Sequence, residues 1–332
     1  MEIFTAAFSE TFLALLRVFI IIVVAGLLVR KKIITQSHIK SLTAVTVNVF
    51  LPCLIFSNIL ANFEPGSLKI WWVLPLSSGL LTGLGLILGA LLFFRELPAK
   101  KNMLALTSMQ NAGYLILPIG AVVYADQFEK FALYCFLFIL GISPILWSVG
   151  KYLCTAGAGE KLSYKGLMTP PFIANIAGLV LVFTKLNVVF TNPNEQGRYV
   201  ITHTLFKSID LLGQATVPLA TFVLGAILGS IAFRLRPYLF DAIRTVAVKL
   251  IILPLITIWI LYALDWGSSF PLIADFLVLQ AASPPATGLI LQVRNYGGDE
   301  QKISSLMLVH YFLCGITLPF WLAFWHSLQA SG

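Results

Sequence analysis

Apolar residues run through this chain in ten long blocks, separated by short segments that hold most of its charge. The blocks lie at about 8–29, 38–60, 70–94, 101–125, 129–152, 166–185, 204–231, 238–264, 270–293 and 302–326. Each is near the roughly 20 residues that an α-helix needs to cross a bilayer. The pattern predicts an all-α integral membrane protein of ten transmembrane helices. The blocks use most of the 332 residues, so no soluble domain of any size is expected.

Composition agrees. The chain is 58% hydrophobic and 11% charged, against about 25% charged in an ordinary soluble domain, and its mean hydropathy is +0.91. The first block leads straight into Arg30-Lys31-Lys32 with no small-residue cleavage site, so it reads as a span rather than a cleaved signal. Cys53, Cys135, Cys154 and Cys314 are scattered, without a CxxC pair. No disulfide framework, metal site or cofactor is therefore expected.

The net charge of +8 reads as an orientation signal rather than a nucleic-acid footprint. With the N-terminus outside, the inner loops hold 14 basic residues: Arg30, Lys31, Lys32, Lys40, Arg95, Lys100, Lys101, Lys151, Lys161, Lys165, Arg234, Arg236, Arg294 and Lys302. The outer loops hold five, Lys69, Lys130, Lys185, Arg198 and Lys207. The bias predicts ten spans in a plasma membrane (the inner membrane, if the cell is bacterial) with both termini outside.

The chain also contains itself twice. Asn48-x-x-x-Pro52-x-x-x-Phe56 is matched by Gln214-x-x-x-Pro218-x-x-x-Phe222, and Leu74-Pro75-Leu76 by Leu253-Pro254-Leu255. Tyr124-Ala-Asp126 is matched by Tyr296-Gly-Gly-Asp299, and Gly141-Ile142-Ser143-Pro144 by Gly315-Ile316-Thr317-Leu318-Pro319. The order is the same throughout. A unit of five spans forces the second copy into the membrane upside down, the inverted-topology repeat of secondary transporters. The division expected is a first repeat at 1–152, a linker at 153–165 and a second repeat at 166–332.

The same offset sets Gln110-Asn111-Ala112-Gly113 of the fourth block opposite Ser283-Pro284-Pro285-Ala286 of the ninth. Pro284 and Pro285 remove helical N–H donors, and Pro118 does so in the fourth block. Unpaired backbone at membrane depth is tolerated only where it is buried in protein or lines a cavity. Two breaks at matched positions therefore point to a binding site. Half-helix N-termini there would attract an anion. Gln110 and Asn111 would supply neutral donors and acceptors, and Gly113 close backbone approach.

Asn48–Phe56, Asn111-Ala-Gly-Tyr-Leu-Ile-Leu-Pro118, Lys249-Leu-Ile-Ile-Leu-Pro254 and Ala282-Ser-Pro284-Pro285-Ala-Thr-Gly together resemble the auxin efflux carrier family, which includes plant PIN transporters and bacterial permeases. The likeness covers nearly the whole chain, which lacks the long central loop of the large plant members. It implies that spans 4 and 9 cross at broken midpoints. It implies a scaffold of spans 1, 2, 6 and 7, a moving unit of spans 3–5 and 8–10, elevator-type transport of small organic anions, and a homodimer in lipid. It places Asn111, Gly113 and Pro118 on the first crossover and Pro284 and Pro285 on the second. Ser283 and the double proline depart from some members.

Ionisable groups inside spans carry a cost of about 2.5–3.5 kcal/mol at the helix centre, so each needs a reason. Lys249 either balances a substrate carboxylate and gates coupling, or pairs with a polar group on a neighbouring helix. Asp275 is either a proton-binding carboxylate or an interfacial one. Asn48 either faces the substrate or satisfies a carbonyl freed by Pro52; Gln214 is read as doing the latter for Pro218. Asp241 and Arg244, three apart, are expected to pair. Arg17 is read as reaching the interface by its long stem, and His310 as a hydrogen-bonded packing residue.

An enzyme is not expected, because no HExxH, GxSxG or paired intramembrane GxGD and YD set is present. The reading is a secondary transporter of auxin-like monocarboxylates or dicarboxylates such as malate. Two other classes compete with it: a sodium-coupled symporter of the bile-acid type, and a channel or ligand sensor using the same broken helices.

Overall fold

The computed structural model describes residues 2–155, 168–192 and 200–331, so most of the expected linker lies outside the described residues. Every regular element among them is a helix. We label these α1 (Ile3–Arg30), α2 (Gln36–Asn62), α3 (Val73–Leu92), α4a (Leu97–Ser108), α4b (Ala112–Val123) and α5 (Ala125–Cys154). After them come α6 (Pro170–Phe183), α7 (Val200–Gly229), α8 (Arg236–Ala263), α9a (Pro271–Ala282), α9b (Gly288–Tyr296) and α10 (Glu300–Ser331). Seven of these are long and apolar enough to cross a bilayer: α1, α2, α3, α5, α7, α8 and α10. The fourth and ninth apolar blocks are each split into two half-helices, and the sixth forms a helix of 14 residues.

Proline shapes the long helices without ending them. Segments of π-helix at Thr46–Phe50, Ala112–Ile116 and Ala247–Ile252 each lie just before a proline, Pro52, Pro118 and Pro254. A proline ring clashes with the carbonyl four residues back and offers it no N–H, so the turn widens. The released carbonyl then needs another donor. For Pro254 that carbonyl belongs to Leu250, and the indole N–H of Trp321 donates to it at 2.7 Å.

Helix α1 packs along α7 and α10, α2 along α6 and α7, and α3 against α4a and α5. The α1–α7 crossing depends on glycine. A Cβ on Gly225 would lie 2.4 Å from the carbonyl oxygen of Ile22, and one on Gly229 would lie 2.4 Å from the Cα of Gly26. Small residues let backbones touch where lipid gives no hydrophobic drive between helices. The outer surface is correspondingly apolar: Leu13, Ile20, Leu80, Leu91, Trp259 and Phe312 are all exposed.

The pairing expected of Asp241 and Arg244 does not form. The carboxylate of Asp241 is nearly buried and meets Lys100 at 2.7 Å and Lys302 at 2.8 Å. The Arg244 guanidinium instead reaches Glu96 at 2.6 Å and lies 3.9 Å above the ring of Phe93. A desolvated carboxylate gains more from two ammonium groups on α4a and α10 than from one neighbour on its own helix. The cluster ties α4a, α8 and α10 together at one end.

Glu96, in the turn before α4a, is held below its ordinary pKa by a hydrogen bond from Lys100 and then by one from Arg244. Its contribution is present above the usual carboxylate pKa and is lost as pH falls through the lowered value. The melting temperature of detergent-solubilised protein is therefore expected to fall on acidification below the ordinary carboxylate range, with a shallower fall for Glu96→Gln. Equal slopes for the two proteins would remove Glu96 from this account.

Candidate functional site

Helix α4a ends at Ser108. Thr107 and Ser108 both donate to the carbonyl of Leu104, at 3.0 and 2.6 Å, and Met109 is extended (φ −88°, ψ 121°). Asn111 then starts α4b by accepting the Tyr114 N–H on its side-chain oxygen at 3.2 Å, the capping role for which asparagine is favoured. Helix α9a stops at Ala282 because the residue before a proline is driven out of the helical region. Ser283 is accordingly extended (φ −67°, ψ 146°). Its hydroxyl donates to the carbonyl of Gln280 at 2.7 Å, one of the groups the prolines leave without a partner.

The two breaks meet. Gln110 and Pro285 form an antiparallel bridge, and the Ala286 N–H donates to Met109 O at 3.2 Å. The Asn111 N–H donates to the Ser283 hydroxyl at 3.3 Å. Tyr311 of α10 ties both breaks down: its hydroxyl donates to Pro285 O at 3.2 Å and accepts from the Asn111 amide. Backbone that lipid could not satisfy is thus satisfied by the other break.

Beside this contact lies a cavity of about 120 Å³. Gln110, Asn111, Ala112 and Gly113 line it from one break, and Ala286, Thr287 and Gly288 from the other. Helix α4b begins at Ala112 and α9b at Gly288, so both half-helices present their N-terminal, positive ends to the same space. The opposite wall comes from Val47 and Leu51 of α2 and from Thr169 and Pro171 at the start of α6. Leu146 and Trp147 of α5 close it with aliphatic and aromatic surface. None of the described lining residues is an acid, a lysine or an arginine.

Three buried polar atoms on lining residues have no hydrogen-bond partner among the described residues: Gln110 Nε2, the Tyr114 hydroxyl and the Thr287 hydroxyl. Such atoms are costly unless something bonds them. Sequence reasoning passed over Tyr114 and Thr287, although each directly follows its break motif. Gly113 lies in the π segment of α4b without a positive φ. A Cβ there would touch only Ile139, at 3.7 Å, so the glycine leaves room rather than permitting a strained turn.

The other sequence candidates fall elsewhere. Pro118, Ser283, Pro284 and Pro285 are buried and do not line the cavity. Asn48 is exposed, while its neighbour Val47 is the residue that lines the cavity. Gln214 donates to the carboxylate of Asp210 at 3.0 Å, not to a carbonyl freed by Pro218. Asp275 is eight residues before Ser283, about 12 Å along the helix. It accepts from Tyr124 at 2.9 Å, from Trp325 at 2.9 Å and from His326 at 3.2 Å, a hub joining α9a to α10 and to the turn between α4b and α5. Lys249 is fully buried, within the π segment of α8.

Comparison with known proteins adds the family. A family model for membrane transport proteins matches residues 11–165 and 155–322. The chain belongs to this family, the auxin efflux carriers. This auxin efflux carrier family member is 29% identical over 178 residues to the protein PIN-LIKES 3 of Arabidopsis thaliana, covering 52% of the chain and 44% of that protein. It is 28% identical over 174 residues to PIN-LIKES 4 of the same plant, covering 50% and 41%. The chain thus spans under half the length of these plant relatives. An uncharacterised transporter of Methanothermobacter thermautotrophicus is 24% identical over 320 residues, covering 94% of the chain and 97% of that protein. The family is one of membrane transporters, not of enzymes, and the chain is a multi-pass membrane protein.

Proposed function

We propose that this protein is a secondary transporter of small organic anions that binds its substrate in the cavity between the two helix breaks. The observation that carries the reading is the pair of half-helix N-termini, α4b and α9b, opening onto one cavity with no acidic lining residue. A carboxylate suits such a site because oriented N–H groups and the dipole ends favour negative charge without a fixed cation. Gln110, Tyr114 and Thr287 supply free polar atoms for its oxygens, and Leu146 and Trp147 supply surface for an apolar tail.

In this reading α4a–α4b and α9a–α9b are the fourth and ninth of ten spans, crossing at their breaks, and the chain is two inverted five-helix repeats with both termini outside a plasma membrane. Helices α1, α2, α6 and α7 form the scaffold and the remainder moves as an elevator, within a homodimer. The cavity supports this division, since α2 and the start of α6 form one wall and the two breaks the other. Alternating access then requires only that one wall slide past the other. Asn111 and Gly113 contact substrate, while Pro118, Ser283, Pro284 and Pro285 hold the breaks open.

The test is substrate-induced current on a solid-supported membrane, with indole-3-acetate, malate, malonate and a neutral control offered to purified protein in liposomes. Saturable current for an acid, absent for the neutral control, is the expected result. Gly113→Ala is expected to keep the wild-type melting temperature and to weaken apparent affinity at least threefold, since its methyl enters the cavity. Binding without flux would make the protein a ligand sensor, and current only in sodium would make it a sodium symporter. No response to any acid would sink the organic-anion reading.

A further inference from the structure

The interior of the bundle holds a lysine that the cavity does not use. Lys249 is fully buried, and its side-chain nitrogen has no hydrogen-bond partner among the described residues. It lies 11 residues beyond Tyr238, about 16 Å along α8 at a rise of about 1.5 Å per residue. His310 is ten residues into α10, about 15 Å from the same end, and Gln280 is nine residues into α9a, about 14 Å from the opposite end. In a hydrocarbon core about 30 Å thick all three reach the midplane, the depth at which α9a breaks.

These residues form an unsatisfied polar layer. Both side-chain polar atoms of Gln280 and the Nε2 of His310 lack partners, and both residues are fully buried. The other nitrogen of His310 is taken by Leu306 O at 2.8 Å. The π segment that carries Lys249 packs against α3, α4a, α9a and α10. Helix α3 brings no titratable group, and α4a brings only Lys100 and Lys101, near its start. Helix α9a brings only Asp275, which is already bonded to Tyr124, Trp325 and His326. Helix α10 brings His310, Tyr311 and Cys314 at this depth, and Glu300, Lys302 and His326 toward its ends. On α8 itself, Asp241 and Arg244 are engaged elsewhere. Among the described residues no carboxylate is placed to neutralise Lys249.

We propose that Lys249 is the counter-charge of the transported anion: in the loaded moving unit the lysine's positive charge offsets the substrate's single negative charge, so that the pair adds no net charge to the crossing of the membrane field. The proposal rests on the substrate reading above. Lys249 does not line the cavity and need not touch the substrate, because charges in a dry interior are little screened. A cation built into the moving unit takes the place of a co-transported one, so sodium is not required. It also sets valence, since a dicarboxylate would leave the loaded unit with an uncompensated charge.

The test is exchange, which uses only the loaded crossing. Proteoliposomes loaded with unlabelled indole-3-acetate are given the labelled acid at 0 and −100 mV, clamped with potassium and valinomycin, with and without sodium. One elementary charge across 100 mV biases the two sides by about fifty-fold. Wild-type exchange is expected to differ less than 1.5-fold between the two potentials and to ignore sodium. Lys249→Gln is expected to exchange with at least a threefold difference, and Lys249→Arg to restore indifference to voltage. Size-exclusion profile and melting temperature establish that each variant is folded; should Lys249→Gln not fold, the wild-type voltage and sodium results and Lys249→Met decide. The same voltage response in wild type and in a folded neutral variant, or sodium-dependent exchange, overturns the counter-charge while leaving the binding site standing. Voltage-sensitive exchange of malate alone overturns it too. No exchange of any acid defeats the substrate reading and this inference together.

Discussion

Asn111→Ala is expected to weaken apparent affinity for the transported acid at least tenfold and to lower the melting temperature as well. The side chain of Asn111 has two structural duties and one in the cavity. Its oxygen caps α4b through the Tyr114 N–H, and loss of such a cap costs about 1 kcal/mol. Its amide bonds the buried Tyr311 hydroxyl, and stranding a buried polar group costs roughly 1–3 kcal/mol. The residue also lines the cavity. Asn111→Asp separates these duties, because a carboxylate still accepts the cap bond and can accept from Tyr311. It adds negative charge where an anion is to sit. Current should therefore fall as far in Asn111→Asp as in Asn111→Ala, with a smaller loss of thermal stability. Wild-type currents in either variant would take Asn111 out of the site.

Gly225→Val should be among the most damaging small substitutions in the chain. The new Cβ would meet the backbone of Ile22 at 2.4 Å from its oxygen and 2.6 Å from its Cα, with the Ala25 Cβ at 2.9 Å. Overpacking commonly costs 1–3 kcal/mol because side chains rotate aside. Backbone cannot rotate aside, so the whole of α1 must move off α7. A loss of about 3 kcal/mol or more is expected, seen as a lower melting temperature and a broadened size-exclusion peak. Gly79→Ala is the control, since a Cβ there meets only the tip of Ile145 at 3.9 Å. Equal stability of the two variants would mean that the α1–α7 crossing is looser than described.

Both predictions depend on features of different legibility. That residues 108–120 and 280–290 break their helices could be read from Asn111 and the Pro284-Pro285 pair, because proline and asparagine act locally; Pro118, read the same way, instead widens a turn inside α4b. That Gly225 matters could not be read, since a glycine in an apolar helix is equally at home facing lipid. Tyr114 and Thr287 were passed over for a related reason. An aromatic and a hydroxyl beside a break look like ordinary helix residues until their polar atoms are found buried and without partners. The proline pair was legible as a break but not as a pair that does not line the cavity.

The charged residues show the same boundary from the other side. Asp241 and Arg244 are three apart, and spacing alone pairs them. The fold brings Lys100 and Lys302 to the first and Glu96 to the second from sites more than 50 residues away along the chain. Asp275 likewise turns out to hold Tyr124, Trp325 and His326, partners contributed by α10 and by the turn between α4b and α5.

By itself the sequence determined that this chain lives in lipid, that it is helical throughout the described residues, and where its helices break, because hydropathy and proline act through the nearest turn of backbone. Only the tertiary structure decided that the two breaks satisfy each other's backbone, that their N-terminal ends open onto one cavity, and that Lys249 is buried without a partner among the described residues. Those facts depend on which residues lie opposite one another across helices far apart in the chain, and no local pattern records that.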